Sequence, residues 1–353
     1  MRLFITGGGT AGHIYPAIAI AQEIEKLIDC EIFYVGISGL LEERIAAREG
    51  YTFLGIESKP LILKPCVKAV KNIKAVLRGI KKSKKLIDKY KPDAVISTGG
   101  YVAGPICQAA KSRIVPVYIH ESNAHYGITT RIIDRFSKIT FYPFRDDYEK
   151  LKKKSNKVYG GIPIRADFLD RANEEENLVL SFGGSGGQKS INEAVAEIFN
   201  NEENLNYKWI HITGLDWKKE FGDAVSNIPD YAEVYEYRHD IYEIMKRAKV
   251  VIAGCGAQGL TEIAAMKKAA ILIPKSYVKE NHQYYNALKY KEAGAAEMIT
   301  EDELNGEKLL NMTDDLIQDD TKRLIMSENI AQFFDPDSAK NIAKHIVGDL
   351  IEK

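Results

Sequence analysis

Short apolar runs alternate with longer amphipathic stretches through the first 160 residues. The pattern predicts strands at Leu3 to Thr6, Glu31 to Val35, Ala94 to Ser97, Val115 to His120 and Ile139 to Tyr142, with a helix starting near His13. Strands separated by helical segments point to an α/β layer with a parallel sheet. After the polar stretch Arg171 to Asn177 the pattern starts again. Strand Leu178 to Phe182 enters a second glycine loop, Gly183-Gly184-Ser185-Gly186-Gly187, and strands follow at Lys208 to Thr213, Val250 to Ala253, Ala270 to Pro274 and Glu297 to Ile299. Residues 301–353 read as helical. The repeated opening predicts two Rossmann-like domains facing each other across a cleft, hinged at Gly160-Gly161-Ile162-Pro163. A length of 353 residues agrees, since one core rarely organises more than about 250 to 300. Sheets of this class bind ligands beyond the carboxyl ends of their strands.

Charge changes this picture in one place. The chain balances 49 Lys and Arg against 49 Asp and Glu, yet residues 59–91 hold twelve basic residues and a single acid, Asp88. Within that segment Val67, Val70, Ile73, Val76, Leu77 and Ile80 recur at helical spacing, which predicts an amphipathic helix over 67–85 with a cationic face. Such a face can be a solvated surface or a docking element for an anionic membrane. Nucleic acid is not expected as a partner, because no aromatic residue interleaves with the lysines before Tyr90. No apolar run approaches the roughly 18 residues of a membrane span. The opening Met1 to Gly7 enters a glycine loop at once and leaves no room for a signal peptide, so the cytoplasm is the expected compartment. Cys30, Cys66, Cys107 and Cys255 form no CxxC pair, which argues against a disulfide framework and a zinc site. No cofactor or bound metal is expected, although a stimulatory divalent cation stays open.

Gly7-Gly8-Gly9-Thr10-Ala11-Gly12 satisfies GxGxxG directly after a strand, where backbone N–H groups and a helix start favour an anion. A dinucleotide oxidoreductase would carry an acid at the end of its second strand for the ribose hydroxyls. Here that strand ends Tyr34-Val35-Gly36-Ile37-Ser38, without one. Glycines serving only a tight strand-to-helix turn are the plain alternative.

Seven segments in order carry a family resemblance. They are Gly7 to Ala17, Gly99-Gly100-Tyr101-Val102-Ala103-Gly104-Pro105, His120-Glu121-Ser122-Asn123 with Gly127, and Gly161-Ile162-Pro163-Ile164-Arg165. The others are Phe182-Gly183-Gly184-Ser185, Gly256 to Glu262 with Ile263-Ala264-Ala265, and His282 to Leu288 with Ala293-Gly294-Ala295-Ala296. Together they resemble the MurG family of N-acetylglucosaminyltransferases of peptidoglycan synthesis. The resemblance implies a two-domain glycosyltransferase B fold, with residues 1–163 facing acceptor and membrane and residues 164–336 binding the UDP-sugar. It also implies a last helix, about 337–353, packing back on the first domain. UDP-GlcNAc is the implied donor, a lipid-diphosphate-linked muramyl sugar the implied acceptor, and transfer inverts the anomeric carbon, as in the step from lipid I to lipid II. The implied location is the inner face of the cell membrane.

By the same resemblance Glu262 grips the ribose hydroxyls of UDP, although a carboxylate in the first turns of a helix is also favoured by the helix dipole alone. Ala257, Gln258, Gly259, Leu260 and Thr261 line the diphosphate, Ser185 adds a hydroxyl, and Arg238 falls among the uracil contacts. Asn123 and Gln283 match positions that bind the donor sugar, Arg165 matches a nucleotide contact, and Thr10, Ala11 and Gly12 complete the donor set. Gly9, Thr10, Tyr101 and Gly104 face the acceptor pyrophosphate. Two residues compete as the base that takes the proton from the acceptor hydroxyl, His13 and Glu121. His125, His211 and His239 lack any constellation and are expected on the surface or in packing.

Departures from the usual bacterial pattern include Ala11, Ser122, Thr130, Gln258 to Thr261 and Lys267-Lys268-Ala269 in place of Gly-Leu-Pro. They leave a muramyl acceptor and an archaeal pseudomurein precursor both open. A sugar-nucleotide 2-epimerase of the same fold and a non-catalytic sugar-nucleotide-binding module at the membrane are the competing functions.

Overall fold

The computed structural model describes residues 1–62, 66–124, 126–145, 156–169, 175–215, 217–278 and 281–352. The chain forms two compact units, Met1–Arg165 with Asp335–Lys353, and Ala166–Phe334. Each is built on its own parallel sheet.

In the first unit the strands are β1 Arg2–Thr6, β2 Glu31–Ile37, β3 Thr52–Ile56, β4 Ala94–Ser97, β5 Val117–His120, β6 Ile139–Tyr142 and β7 Lys157–Tyr159. Their order is β3-β2-β1-β4-β5-β6-β7, and every described pairing is parallel. The chain therefore lays β2 and β3 on one side of β1, then crosses back to place β4 on the other. The central strands are buried along nearly their whole length, as a sheet covered on both faces requires. Strands β3 and β7 had no counterpart in the apolar pattern, because each is short, lies at a sheet edge and is only partly buried.

The helices of this unit are α1 Ala11–Leu27, α2 Leu41–Arg48, α3 Val67–Tyr90, α4 Ala103–Ser112 and α5 Ile128–Ile133, joined by the C-terminal helix Ser338–Ile351. Ile342, Ala343, Ile346, Val347 and Leu350 of that last helix enter the same core as Ile14, Ile18 and Ile24 of α1. Its Asp349 carboxylate accepts the Tyr118 hydroxyl and pairs with Lys138. The turn at Gly160-Gly161 is fastened into this unit. Both N–H groups donate to the Tyr142 carbonyl, the Ser338 hydroxyl donates to the Gly160 carbonyl, and the buried His120 ring bonds the Gly161 carbonyl at 2.7 Å.

The basic helix is longer than predicted and presents a different face. Ala69, Asn72, Ala75, Gly79, Ser83 and Ile87 are buried against α4, while Val67, Val70, Ile73 and Leu77 point outward. Small residues line the packed side because the backbone comes close: a Cβ at Gly79 would lie 1.9 Å from the Glu57 carbonyl oxygen.

In the second unit β8 Leu178–Phe182, β9 Lys208–Ile212, β10 Ala232–Tyr235, β11 Val250–Gly254, β12 Ala269–Ile273 and β13 Glu297–Met298 form a sheet of order β10-β9-β8-β11-β12-β13. Around it lie α6 Lys189–Asn201, α7 Lys218–Ala224, α8 Ile241–Arg247, α9 Ala257–Ala265, α10 His282–Glu292, α11 Gly306–Gln318 and α12 Asp320–Ala331. His211 is a packing residue, fully buried between Ser181 and Asn192. His239 is exposed, and His125 lies outside the described residues. Two of the departures have structural explanations. Lys267 takes a φ of 53°, a conformation that glycine adopts without a Cβ penalty. Lys268 is almost fully buried, with Nζ donating to the Lys246 carbonyl at 2.7 Å and pairing with Glu175. Among the described residues no helix is long and apolar enough to cross a membrane.

Candidate functional site

Each sheet reverses its strand order at one place, and each glycine loop sits there. In the first unit the reversal lies between β1 and β4, so the segments leaving those strands, Gly7 to Thr10 and Thr98 to Tyr101, meet at the carboxyl edge. The two loops interlock. The Thr98 hydroxyl donates to the His13 carbonyl, and a Cβ at Gly7 would lie 2.1 Å from the Thr98 hydroxyl oxygen. A Cβ at Gly100 would lie 2.2 Å from the Gly8 carbonyl oxygen, and Gly100 has a φ of 80°. These glycines are required by close backbone approach as well as by the turn itself.

His13 lies at this junction. Its Nδ1 is 3.1 Å from the Thr10 hydroxyl, and its Cδ2 edge lies over Gly99, 3.0 Å from where a Cβ would stand. Gly9 lies similarly under the Tyr101 ring. The structure thus brings Gly9, Thr10, His13 and Tyr101 together, with Ala11 and Gly12 in the opening turn of α1 and Gly104 in that of α4. Burial, and secondarily Glu42, push the Tyr101 phenol above its ordinary range.

Glu121 lies elsewhere in this unit, beyond β5, and its carboxylate is occupied. One oxygen accepts the N–H groups of Ser122 and Asn123 and the Asn123 side-chain amide, each at 3.0 Å. A carboxylate oxygen holding three donors shapes its own turn. The Arg165 guanidinium stacks on the Tyr15 ring, 4.6 Å from its centre. Burial drives His120, beside Glu121, down to about 4, so it stays neutral while it holds Gly161.

In the second unit the reversal lies between β8 and β11, flanked by the loop Gly183 to Gly187 and the start of α9. Helix α9 begins after Gly256 with no side-chain cap, and its first intrahelical bond is from the Leu260 N–H to the Gly256 carbonyl. The N–H groups of Ala257, Gln258 and Gly259 accordingly point out of the helix at its positive end, as an anion site requires. The Thr261 hydroxyl is turned back to the Ala257 carbonyl. Glu262 is nearly buried one turn on, where the Gln258 amide reaches it at 3.4 Å. Ser185 is half-buried in the glycine loop, and Gln283 on α10 accepts the Lys275 N–H. Arg238 pairs through two nitrogens with Asp240 and lies over the Tyr235 ring, beyond β10.

Three residues of these crevices were not singled out from the sequence. Thr98 ties the two loops of the first unit together, and Asn286 joins α10 to the Cys255 carbonyl just before α9. Glu42, fully buried against Gly8, bonds the Ile37 N–H. In the sequence Glu42 is followed directly by a second acid, Glu43, and nothing local separates the buried acid from its neighbour.

Comparison with known proteins decides the class. The profile of the glycosyltransferase family 28 N-terminal domain matches residues 3–142, and that of the family 28 C-terminal domain matches residues 178–342. The chain belongs to glycosyltransferase family 28, in its MurG branch. It is an enzyme, a glycosyltransferase. It is 37% identical over 330 residues, 90% of each chain, to the UDP-N-acetylglucosamine--N-acetylmuramyl-(pentapeptide) pyrophosphoryl-undecaprenol N-acetylglucosamine transferase of Alkaliphilus oremlandii. To the enzyme of the same name from Halothermothrix orenii it is 36% identical over 99% of each chain. Its fold matches the crystal structure of Acinetobacter baumannii MurG with a TM-score of 0.74 at 24% identity, over 100% of this chain and 99% of that one. Two Rossmann-like domains of the glycosyltransferase B type agree with the fold expected from the sequence.

Proposed function

We propose that this glycosyltransferase moves GlcNAc from UDP-GlcNAc to a muramyl-peptide sugar carried on a lipid diphosphate at the inner membrane face. The observation that carries the reading is the 36% identity to the Halothermothrix orenii transferase across 99% of both chains. The second unit takes the donor. The free end of α9 and the Gly183 to Gly187 loop receive the diphosphate, with Glu262 on the ribose, Gln283 on the sugar and Ser185 on a phosphate. Leaving-group charge is stabilised by backbone dipoles already aimed at it. The first unit takes the acceptor, with Gly9, Thr10, Tyr101 and Gly104 around its pyrophosphate.

His13 is the base. The Thr10 hydroxyl at Nδ1 fixes the ring, and a hydroxyl donating there leaves Nε2 carrying the proton, whereas the opposite tautomer leaves Nε2 able to accept one. Transfer uses the second tautomer. Arg238 serves the uracil side after exchanging Asp240 for the ligand.

Mass spectrometry of products tests the reaction. With UDP-GlcNAc and short-chain muramyl or talosaminuronyl lipid diphosphates, a HexNAc gain on the muramyl acceptor with matching UDP release is expected. Gain only on the talosaminuronyl acceptor would name the pseudomurein wall instead, and conversion of UDP-GlcNAc to a same-mass isomer would mark an epimerase. Glu262→Ala is expected to weaken UDP binding about tenfold or more in calorimetry, since it deletes charge-assisted bonds of roughly 1.5 to 3 kcal/mol. An unchanged affinity would remove Glu262 from the ribose.

The outward face of α3 supports docking on an anionic bilayer. Val67, Val70, Ile73 and Leu77 form an exposed apolar stripe among Lys68, Lys71, Lys74, Lys81 and Lys82. Neutralising Lys81, Lys82, Lys84 and Lys85 is expected to lower binding to phosphatidylglycerol vesicles, by about 1 kcal/mol per lysine. The loss should shrink as salt rises. Vesicle sedimentation that is the same for variant and wild type at low salt would rule the helix out.

A further inference from the structure

Beyond β12 the chain runs through Pro274 into Lys275, whose position in the second unit has no counterpart among the residues already assigned. The Lys275 N–H donates to the Gln283 side-chain oxygen at 3.0 Å, and its Nζ donates to the Gly187 carbonyl at 2.6 Å. Because β11 lies between β8 and β12, the side chain must cross the end of β11 to reach the glycine loop. It therefore lies at the strand edge where that loop and the start of α9 meet.

An ammonium has three N–H donors, and among the described residues only the Gly187 carbonyl takes one. The nearby acid, Glu301, is occupied: it accepts the Ser276 N–H and hydroxyl, the Ser190 hydroxyl and the Gln188 amide. Burial lowers the proton affinity of Lys275, and Glu301 only partly offsets this. A half-buried cation with spare donors is costly without an anion to accept them. The anion expected at this edge is the one that the uncapped N–H groups of α9 also face.

We propose that Lys275 binds the diphosphate of the nucleotide donor, reaching over the end of β11 to the phosphate that bears the sugar. The proposal rests on the donor-site reading given above. It places a mobile cation opposite the fixed dipole of α9, so charge appearing on the departing UDP is met from both sides of the crevice.

Calorimetry with UDP, UMP and uridine on the full chain tests this. Lys275→Gln is expected to lose UDP affinity roughly tenfold to hundredfold, the worth of one charge-assisted contact. Its uridine affinity should stay within about threefold by the same scale. Lys275→Arg should recover much of the UDP affinity. A Lys275→Gln protein that binds UDP like the wild type overturns the proposal, and so does one that loses uridine as strongly as UDP, which would mark a clamp on the glycine loop. Should the variant fold poorly, reductive methylation of the wild type gives the same answer: UDP must shield the Lys275 amine and uridine must not. A wild type that binds neither nucleotide would overturn the donor-site reading, and this proposal with it.

Discussion

His13→Gln is expected to lower GlcNAc transfer roughly a hundred- to ten-thousandfold, the usual worth of a positioned general base. The Michaelis constants should change little. Glutamine at this position can still bond Thr10, and the interlocked loops are held by Thr98 and the glycines rather than by the imidazole. Glu121→Gln is the control. Its side chain keeps an oxygen for the N–H groups of Ser122 and Asn123, so the turn survives and the loss should be far smaller. Single-turnover rates with labelled UDP-GlcNAc separate the two residues. Near-normal turnover in His13→Gln together with a collapse in Glu121→Gln would move the base to the carboxylate.

The second large effect is on stability in mild acid. Burial drives His120 down to about 4 and His211 down to about 3, whereas both titrate near 6.5 in an unfolded chain. The folded chain keeps them neutral and the unfolded chain protonates them. Their contribution is complete above the unfolded value and is lost as pH falls toward the folded values. Each unit holds one of the two, so each should lose about 1.4 kcal/mol per pH unit between pH 6 and 4.5 from this source alone. Urea unfolding at several pH values reads the slope, and comparison with His120→Gln and His211→Gln separates it from the carboxylates. Equal slopes in wild type and variants would show that the two rings do not set the acid limit.

The strong elements were legible because their signals were local. The buried central strands of both sheets are continuous apolar runs, and both glycine loops follow them directly. Edge strands β3, β7 and β10 escaped because a few half-buried residues produce no clear run. The orientation of α3 escaped for a different reason. Its large apolar residues suggest an inward face, but the helix packs through alanine, glycine and serine, and only contact with α4 determines that. In the site, His13, Glu262 and Gln283 stood out by motif. Thr98, Glu42 and Lys275 did not, since each works through a partner distant in sequence, and Asn286, though inside a matched segment, showed no role there because its partner Cys255 is equally distant.

The chain enters the second unit after Arg165 and returns at Asp335 to finish the first. This has a consequence for biosynthesis. When Arg165 is made, the apolar side of α1 that will receive Ile342, Ile346 and Leu350 has nothing to cover it. At typical rates of protein synthesis that face waits roughly ten seconds or longer, while the whole second unit is made. The second unit, continuous in the chain, can close while the first is still open. The nascent first unit is then the part that needs protection from aggregation, and its core is completed only once the helix Ser338–Ile351 has been made.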